Sequence, residues 1–375
     1  MIDPRHLTRR QALLAGAGGA MSLWLAACGG QTGANAPTGT GKAGLAADAA
    51  VEDQMLLANW VDFTNPDNLK QFAREHSLEL TQDGYGSQEE LLAKLGAGGS
   101  RFDVVCPGTS GLSQMIDQDL ALELTPELVP NLDNIKPAFR DATLNRFGVP
   151  KDFGLVSFFW RTDVVKEQPR TLLECFELLP RYRDARVNFI ESGDEIVGTA
   201  LAALGLSVNT EDDGDIARAR ELLLKVKPAV DQISTQYIER GSRGEIDFGL
   251  GYSGDVRRMV QARARKDDEM VFLVPDGSAE RFVDYWVIPA AAQHPVAAHA
   301  FLNFMLDPRV AAREQEYIQY GTPVAGTERF VDRELATDPT VAIPEEKLRN
   351  YQELDDLGPR AERQRTRVFT EFKAA

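Results

Sequence analysis

Between Met55 and Cys106 the chain reads MLLANWVDFTNPDNLKQFAREHSLELTQDGYGSQEELLAKLGAGGSRFDVVC, and the pattern of this segment indicates the fold class. Short apolar runs with the length of buried strands occur three times, at residues 55–60, 78–81 and 102–106. The segments between them are predicted helices at 66–78 and 88–95, the first with Leu69, Phe72 and Ala73 at helical spacing. Strands that alternate with helices form a parallel sheet covered by helices. The sequence therefore predicts an α/β protein.

A second block of the same kind begins near Gly154. Its predicted strands are 155–160, 187–190, 248–252 and 286–288, and its predicted helices are 197–206, 216–226 and 295–306. Since 375 residues are enough for two cores, we expect two α/β lobes facing each other across a cleft. Lobe 1 is predicted at 51–152 plus 284–323, and lobe 2 at 153–283 plus 324–375. Hinge crossovers are expected near 150–154, 283–285 and 322–324.

The N-terminus has the features of an export signal. Arg9 and Arg10 precede an uncharged apolar run that ends at Ala27 and is shorter than the roughly 20 residues of a membrane span. Adjacent arginines favour the twin-arginine route. Leu25-Ala26-Ala27-Cys28 resembles a bacterial lipobox, so residues 1–27 are a predicted signal peptide and Cys28 a predicted lipidation site. An ordinary cleavage site with an incidental cysteine is the alternative. The Gly-, Ala- and Thr-rich residues 28–50 are a predicted flexible tether.

The charge balance limits the possible partners. The chain carries 41 basic and 57 acidic residues, a formal net charge of −16. Such acidity disfavours binding to nucleic acid and anionic lipid and favours cationic partners. The alternative is that the acidic residues only keep the protein soluble. We therefore expect no nucleic-acid partner, and contact with a membrane only through the lipid anchor.

Cysteine and histidine usage argues against a disulfide scaffold or a metal centre. Beyond Cys28 there are two cysteines, Cys106 and Cys175, which either form one bridge or remain buried thiols. His294 and His299 lie five residues apart with a proline between them, so they do not share a helix face as zinc ligands would. No cofactor or metal is expected.

The candidate ligand-binding residues lie where predicted strands end. An aromatic residue stands beside a carboxylate three times, in Trp60-Val61-Asp62-Phe63, in Tyr252-Ser253-Gly254-Asp255 and in Phe282-Val283-Asp284. Aromatic faces attract ammonium groups, and carboxylates accept their hydrogen bonds. A slot with ring walls and acidic ends suits an elongated diamine. Each residue alone is as easily a core aromatic or a helix N-cap.

The order of these blocks resembles a known family. From about Met55 to Gln352 the chain is similar to the periplasmic spermidine/putrescine-binding proteins of polyamine ABC importers. The similar blocks, in sequence order, are Asn-Trp-Val-Asp-Phe, Phe-Asp-Val-Val-Cys-Pro-Gly-Thr, Gly-Tyr-Ser-Gly-Asp, Phe-Val-Asp-Tyr-Trp-Val-Ile-Pro and Gln-Tyr-Gly-Thr-Pro. The family has a two-lobed periplasmic-binding-protein fold, so the resemblance implies the same fold here.

The resemblance also implies roles for individual residues. The aromatic walls would be Trp60, Tyr252, Phe282 and Tyr320, and the ammonium-binding carboxylates Asp62, Glu195, Asp255 and Asp284. Phe63, in the first block, is a further candidate ligand-binding residue. Gln352 corresponds to a late ligand-bonding glutamine, and Thr109 or Ser110 would replace a ligand-bonding serine because Gly108 stands in its place. Ser192 stands where spermidine binders can carry an aspartate, so the remaining acids resemble the putrescine-type pattern.

We expect a binding protein and not an enzyme. The resemblance implies a monomer that captures a polyamine in the periplasm or at the cell surface and delivers it to an ABC permease. Three alternatives stay open: another small solute such as an amino-acid-like cation, a sugar or thiamine; a hydrolase with paired carboxylates; or a scaffold without transport.

Overall fold

The computed structural model describes residues 45–60, 62–97, 101–263 and 269–375. The predicted signal peptide and Cys28 lie outside these residues, as does most of the predicted tether. The predicted β-α-β-α-β start is confirmed, with β1 (Gln54–Trp60), α1 (Pro66–His76), β2 (Glu79–Tyr85), α2 (Gln88–Gly96) and β3 (Val104–Val105). β1 pairs in parallel with both β2 and β3. Asn65 caps α1 by accepting from Asp67 N, and Pro66 fits the first helical turn.

The remaining strands and helices follow along the rest of the chain. The strands are β4 (Gly148–Arg161), β5 (Val187–Phe189), β6 (Gln232–Ile233), β7 (Phe248–Tyr252), β8 (Met270–Phe272), β9 (Ala279–Val287) and β10 (Tyr351–Gln352). The α-helices are α3 (Thr109–Asp117), α4 (Leu172–Leu178), α5 (Gly193–Ala203), α6 (Asp213–Val226), α7 (Tyr237–Ser242), α8 (Ser253–Ala262), α9 (Pro295–Met305), α10 (Pro308–Ile318), α11 (Arg333–Thr337), α12 (Glu345–Leu348) and α13 (Pro359–Ala374). Short 3₁₀ helices occupy Pro126–Leu128, Pro130–Asn134, Pro137–Phe139, Leu144–Arg146, Leu179–Arg181, Lys227–Ala229 and Thr327–Arg329.

The strands form one mixed sheet in the order β2-β1-β3-β9-β4-β7-β5-β6. The first three strands are parallel neighbours, and so are β7, β5 and β6 at the other side. Between these groups run β4 and β9, called here the crossover strands, which pair with each other antiparallel. β9 contacts the first group through β3, and β4 contacts the second group through β7. Two strand groups joined by crossover strands give the predicted two-lobed α/β architecture.

The crossover strands are longer than the sequence predicts. The predicted strands at 155–160 and 286–288 are only parts of β4 and β9. The polar pair Lys151 and Asp152 made the start of β4 look like a connection. In the structure both side chains are buried and form an ion pair, with 2.5 Å between Lys151 Nζ and Asp152 Oδ2. This local neutralisation lets the strand continue through a buried position.

Each strand group has its own apolar core. Leu57, Phe72 and Phe301 are fully buried beside the first group, whereas Phe158 and Phe248 are fully buried in the second. Phe158 packs edge-on against Phe248 with ring centroids 5.8 Å apart. Each such side chain contributes about 1.5–3 kcal/mol by leaving water.

The cysteine alternatives are resolved. Cys106 and Cys175 are buried free thiols, and burial raises the pKa of both thiols well above the usual value. They act as small apolar core residues. None of the helices in the described part of the chain has the length and apolar character that a bilayer crossing needs.

Candidate functional site

A cavity of about 430 Å³ opens at the carboxyl ends of the strands, between the two strand groups. The end of β1 and the N-terminus of α3 line it from the first group. The first turn of α5 and the junction of β7 with α8 line it from the second group, and β9 forms its floor. Such an edge of an α/β sheet is where ligands bind, because loops there present side chains to a shared crevice.

Most of the predicted ligand-binding residues meet in this cavity. Those that line it are Trp60, Phe63, Thr109, Ser110, Glu195, Tyr252, Asp255, Phe282, Asp284 and Tyr320. They come from positions up to 260 residues apart in sequence and from both strand groups. Two predicted residues, Asp62 and Gln352, are not among the lining residues.

Asp62 departs from the prediction because of the turn that follows β1. Asn59 Nδ2 donates to Phe63 O at 3.1 Å and also to Thr64 Oγ1, which closes the turn. Asp62 takes a left-handed backbone conformation with φ of 55° and is exposed, while Phe63 faces the cavity. The carboxylate predicted at this end of the cavity is therefore turned toward solvent.

Gln352 lies in β10 and bonds other protein groups. Its Oε1 accepts from Ser207 Oγ at 3.0 Å and from Val208 N at 3.2 Å, and its Nε2 donates to Ser278 Oγ at 3.2 Å. These bonds fasten β10 beside β9. Leu354, two residues further along, lines the cavity instead.

Four aromatic rings form a continuous edge-to-face array in the cavity. Ring centroids are 5.5 Å apart for Phe63 and Tyr320, 5.4 Å for Tyr320 and Phe282, and 5.4 Å for Phe282 and Tyr252. Such contacts each contribute about 0.5–1.5 kcal/mol beyond area burial. The array gives a rigid apolar surface.

Two glycines make room for that array. A Cβ at Gly154 would lie 2.6 Å from the Phe282 ring and 2.8 Å from Tyr320, and one at Gly254 would lie 2.5 Å from Tyr320. A residue with a side chain at either position would push the rings out of place. Glycine at these two positions is thus required by close approach.

Tyrosine hydroxyls hold two of the predicted carboxylates. Asp255 Oδ1 accepts from Tyr320 at 2.7 Å, and its other oxygen accepts from Tyr237. Glu195 Oε1 accepts from Tyr252 at 2.8 Å. Burial raises the pKa of both carboxyls, although these hydrogen bonds oppose the rise. The acids therefore fix the positions of the tyrosine rings.

Asp284 lies on the floor of the cavity next to a buried ion cluster. It is 8% exposed, and burial followed by the charge of Asp152 raises the pKa of Asp284 well above the usual range. Lys151 opposes that rise. Lys151 Nζ lies 3.9 Å from the centroid of the Phe63 ring and 3.7 Å from Glu314 Oε1. The cluster supports one end of the ring array from behind.

Several lining residues were not predicted from the sequence. They are Gln88, Glu89, Asp194, Glu280, Arg281 and Leu354. The alternation of side chains in a strand gives a signal for Glu280, because it stands two residues before Phe282 just as Asp284 stands two residues after it. No local pattern indicated the others.

The electrostatic character of the cavity is acidic. Among its lining residues in the described chain, Arg281 is the single cation, and its Nη2 is paired with Glu353 Oε1 at 2.8 Å. Glu353 Oε2 also accepts from the hydroxyl of Thr109 at 2.6 Å, so that hydroxyl is already engaged. No cluster of three or more potential metal-ligating side chains occurs in the described ranges. The arrangement can hold a slender cation against aromatic rings.

Comparison with known proteins gives the family. Residues 33–343 match the family of bacterial extracellular solute-binding proteins. The chain is 28% identical over 347 residues to the putrescine-binding periplasmic protein SpuD of Pseudomonas aeruginosa, covering 88% of this chain and 94% of that protein. It is 30% identical over 342 residues to a putrescine/cadaverine-binding protein of the same species, covering 88% and 96%.

Comparison with a solved structure identifies the fold. The spermidine/putrescine ABC transporter substrate-binding protein PotD of Streptococcus pneumoniae has a TM-score of 0.78 to this chain at 23% identity. The likeness covers 86% of this chain and 99% of that one. The predicted two-lobed fold is thereby confirmed, and the chain belongs to the bacterial extracellular solute-binding protein family.

Proposed function

We propose that the protein is the substrate-binding component of an ABC importer and that it captures a polyamine. The observation that carries the proposal is the array of Phe63, Tyr320, Phe282 and Tyr252, bordered by carboxylates in a cavity whose lining arginine is already paired. Aromatic rings pack against the methylene groups of a polyamine, and their faces attract its ammonium groups. Relatives named for putrescine or cadaverine binding support the same ligand class.

The binding mechanism is inferred from the shape of the cavity. The methylene chain lies along the rings, and an ammonium group donates charge-assisted hydrogen bonds to Asp284. We infer lobes at 51–152 plus 284–323 and at 153–283 plus 324–375, which close by bending of the crossover strands near 150–154 and 283–285. The closed monomer then docks on its permease. No cofactor takes part.

Titration calorimetry of the purified full chain tests the ligand class. Putrescine and spermidine should bind saturably with one site per chain, whereas glucose, thiamine and neutral amino acids should give no heat of binding. Lysine distinguishes a polyamine site from a site for amino-acid-like cations. A polyamine site should bind lysine weakly, because the lysine carboxylate would be repelled by the acidic lining. Absence of binding by every amine would overturn the proposal.

The protein is proposed to bind without catalysis. After prolonged incubation with putrescine, mass spectrometry should recover the diamine unchanged, and a panel of aryl glycosides should release no aglycone. Turnover of a glycoside that is lost in Asp255→Asn would favour the hydrolase alternative instead.

Export and anchoring are proposed from the N-terminal sequence. We infer that residues 1–27 form a twin-arginine signal peptide and that Cys28 is lipidated, followed by a tether to residue 50. In cells, Cys28→Ser should move the protein from the membrane fraction to the soluble exported fraction, and replacement of Arg9 and Arg10 by lysine should retain it inside. An unchanged membrane fraction for Cys28→Ser would contradict the lipid anchor.

A further inference from the structure

The face of β9 that lines the cavity carries two buried carboxylates without a hydrogen-bond donor. Glu280, Phe282 and Asp284 are alternate residues of one strand, so their side chains leave on the same face, and all three line the cavity. Glu280 is 2% exposed and Asp284 is 8% exposed. Neither carboxylate accepts a hydrogen bond from any residue in the described part of the chain.

These two acids differ in this respect from the other buried carboxylates of the cavity. Asp255 accepts from Tyr237 and Tyr320, and Glu195 accepts from Tyr252. A buried carboxylate without a donor is costly, and an ammonium group supplies both the hydrogen bonds and the charge that it lacks. Glu280 and Asp284 are therefore the strongest candidates for direct ammonium contact.

The surroundings of Glu280 are shaped to hold its carboxylate. Its Oε2 is enclosed against Gly198 of α5, where any Cβ would clash with that oxygen. Arg365 of α13 is fully buried nearby, and its positive charge favours the ionised form of Glu280. Among the described residues, however, the hydrogen bond of the Arg365 guanidinium is to Val208 O and not to Glu280. Arg365 thus offsets the negative charge of Glu280 without donating a hydrogen bond to its carboxylate.

The spacing along β9 fits a short linear diamine. Four residues of extended strand separate the Cα atoms of Glu280 and Asp284 by about 13 Å. A diamine with four methylenes places its nitrogens about 6 Å apart, and a hydrogen bond of about 2.8 Å at each end brings the span to about 12 Å. Phe282 lies between the two acids, under the methylene chain. Diamines with two or three methylenes give shorter spans, of about 9 and about 11 Å.

We propose that Glu280 is an ammonium-binding, specificity-determining residue, and that a linear diamine with four or five methylenes lies across Phe282 with one ammonium on Asp284 and the other on Glu280. The inference rests on the proposed polyamine-binding function and adds to it a residue and a ligand length. Asp255 and Glu195 then hold the tyrosine walls in place. The Glu280 carboxylate that holds the diamine also packs against Gly198 of α5.

Paired calorimetry with 1,4-diaminobutane and 1-aminobutane tests the role of Glu280 on the full chain. The wild-type protein should prefer the diamine strongly. Glu280→Gln should lower the affinity for the diamine by about 10- to 100-fold and leave the affinity for the monoamine unchanged. Equal losses for both amines, or no loss for the diamine, would overturn the proposal.

Two further variants separate binding from folding. Gly198→Ala should displace the Glu280 carboxylate and reproduce the selective loss without any change of charge. Asp103→Asn removes a fully buried carboxylate outside the cavity and away from the ring array, so the ratio of diamine to monoamine affinity should stay at the wild-type value. A lowered ratio in Asp103→Asn as large as that in Glu280→Gln would contradict a specific role for Glu280.

A length series needs no variant. The wild-type protein should bind diamines with four or five methylenes more tightly than those with two, three or eight, and a flat series would overturn the ligand length. If the wild-type protein binds no diamine at all, the proposed function fails together with this inference. If it binds diamines but Glu280→Gln behaves as wild type, only the assignment of Glu280 fails.

Discussion

At the scale of single residues, Asp284 is the carboxylate that we propose as the main ammonium contact, because the sequence predicts it and it lines the cavity in the structure. Its carboxylate is buried on the cavity floor, lacks a donor among the described residues, and follows Phe282 on the same strand face. An ammonium group at Asp284 exchanges water for a buried, charge-assisted hydrogen bond, which is among the stronger contacts that a protein can offer. Asp62, by contrast, is exposed and lies outside the cavity lining.

We therefore predict that Asp284→Asn lowers polyamine affinity by about 10- to 100-fold, since the neutral amide leaves a buried ammonium without its counter-charge. Calorimetry with putrescine measures the loss. The matched control is Asp62→Asn, the same chemical change at an exposed position, which should bind as tightly as wild type. The reverse order of effects would mean that the turn after β1 presents Asp62 to the ligand.

The raised pKa values predict a pH dependence with a definite sign. Burial raises the pKa of Asp284 and of Glu280 in the ligand-free protein, and a bound ammonium favours the ionised carboxylates. Affinity should thus increase with pH through the raised pKa values, with protons released on binding. Calorimetry from about pH 5 to about pH 8, in buffers of different ionisation enthalpy, measures that release. A pH-independent affinity without proton release would contradict it.

Neighbouring charges add to or oppose the rise in pKa that burial causes at these two carboxyls. Asp284 faces Asp152 and Lys151, and the Cys106 thiol and the Tyr85 hydroxyl also sense its charge. Glu280 faces Glu195, Asp194 and Arg365. Because carboxyl pKa values raised by folding favour the protonated native state, the ligand-free protein should lose stability as pH rises through them. A bound polyamine should remove most of that loss.

At the scale of elements, β4 depends on a buried ion cluster. Lys151 is enclosed between Asp152 of β4 and Glu314 of α10, and Glu314 also accepts from Asn68 of α1 at 3.0 Å. The cluster therefore ties a crossover strand to two helices. The Lys151 ammonium also lies over the Phe63 ring, so the same group supports the cavity wall.

Replacement of Lys151 by Met should destabilise the protein by about 3–5 kcal/mol, because the remaining acids would be buried without their cation. Urea unfolding measures the change in free energy. Lys70→Met is the control, since Lys70 forms an exposed pair with Asp67 and should shift stability by less than about 1 kcal/mol. Equal stability of the two variants would show that Asp152 and Glu314 become neutral by protonation when Lys151 is replaced.

At the scale of the whole molecule, the segment 351–357 links the two strand groups. Glu353 accepts from Thr109 at the start of α3 and from Arg281 of β9. The backbone of the same residue accepts from Asn209 Nδ2 at 2.8 Å, after α5. Glu353 thus connects the second group, through its backbone oxygen, with the first group, through its carboxylate, and lobe opening would break the bond to Thr109.

We predict that Glu353→Gln speeds ligand release by about 10-fold, because a charge-assisted contact across the cleft becomes a neutral one. Stopped-flow displacement of a bound polyamine measures the dissociation rate. Asp355→Asn serves as the control, since Asp355 bonds Asn209 on its own side of the cleft. An unchanged dissociation rate in Glu353→Gln would show that the bond between Glu353 and Thr109 does not hold the lobes closed.

Much of the fold was predictable because its signals are local. The strands at 54–60 and 248–252 and the helix at 295–305 depend on apolar runs, caps and prolines within a few residues. The start of β4 is not predicted from the sequence, because only the packing of distant segments shows that the adjacent Lys151 and Asp152 are buried together as an ion pair. The family resemblance is confirmed by comparison, since the family model matches residues 33–343 and the similarity to the putrescine-binding protein SpuD covers 88% of this chain.

Local sequence is enough to predict the alternation of strands and helices at the start of the chain, the family, and the aromatic and acidic residues at the strand ends, since these depend on neighbours along the chain. Contacts between distant segments set which acids face the cavity. Asp62 is exposed in the turn that Asn59 closes by donating to Phe63 O, whereas Glu280 turns inward against Gly198, about 80 residues away. The physical reason is that burial and hydrogen-bond partners are set by contacts between distant segments, which no local pattern encodes.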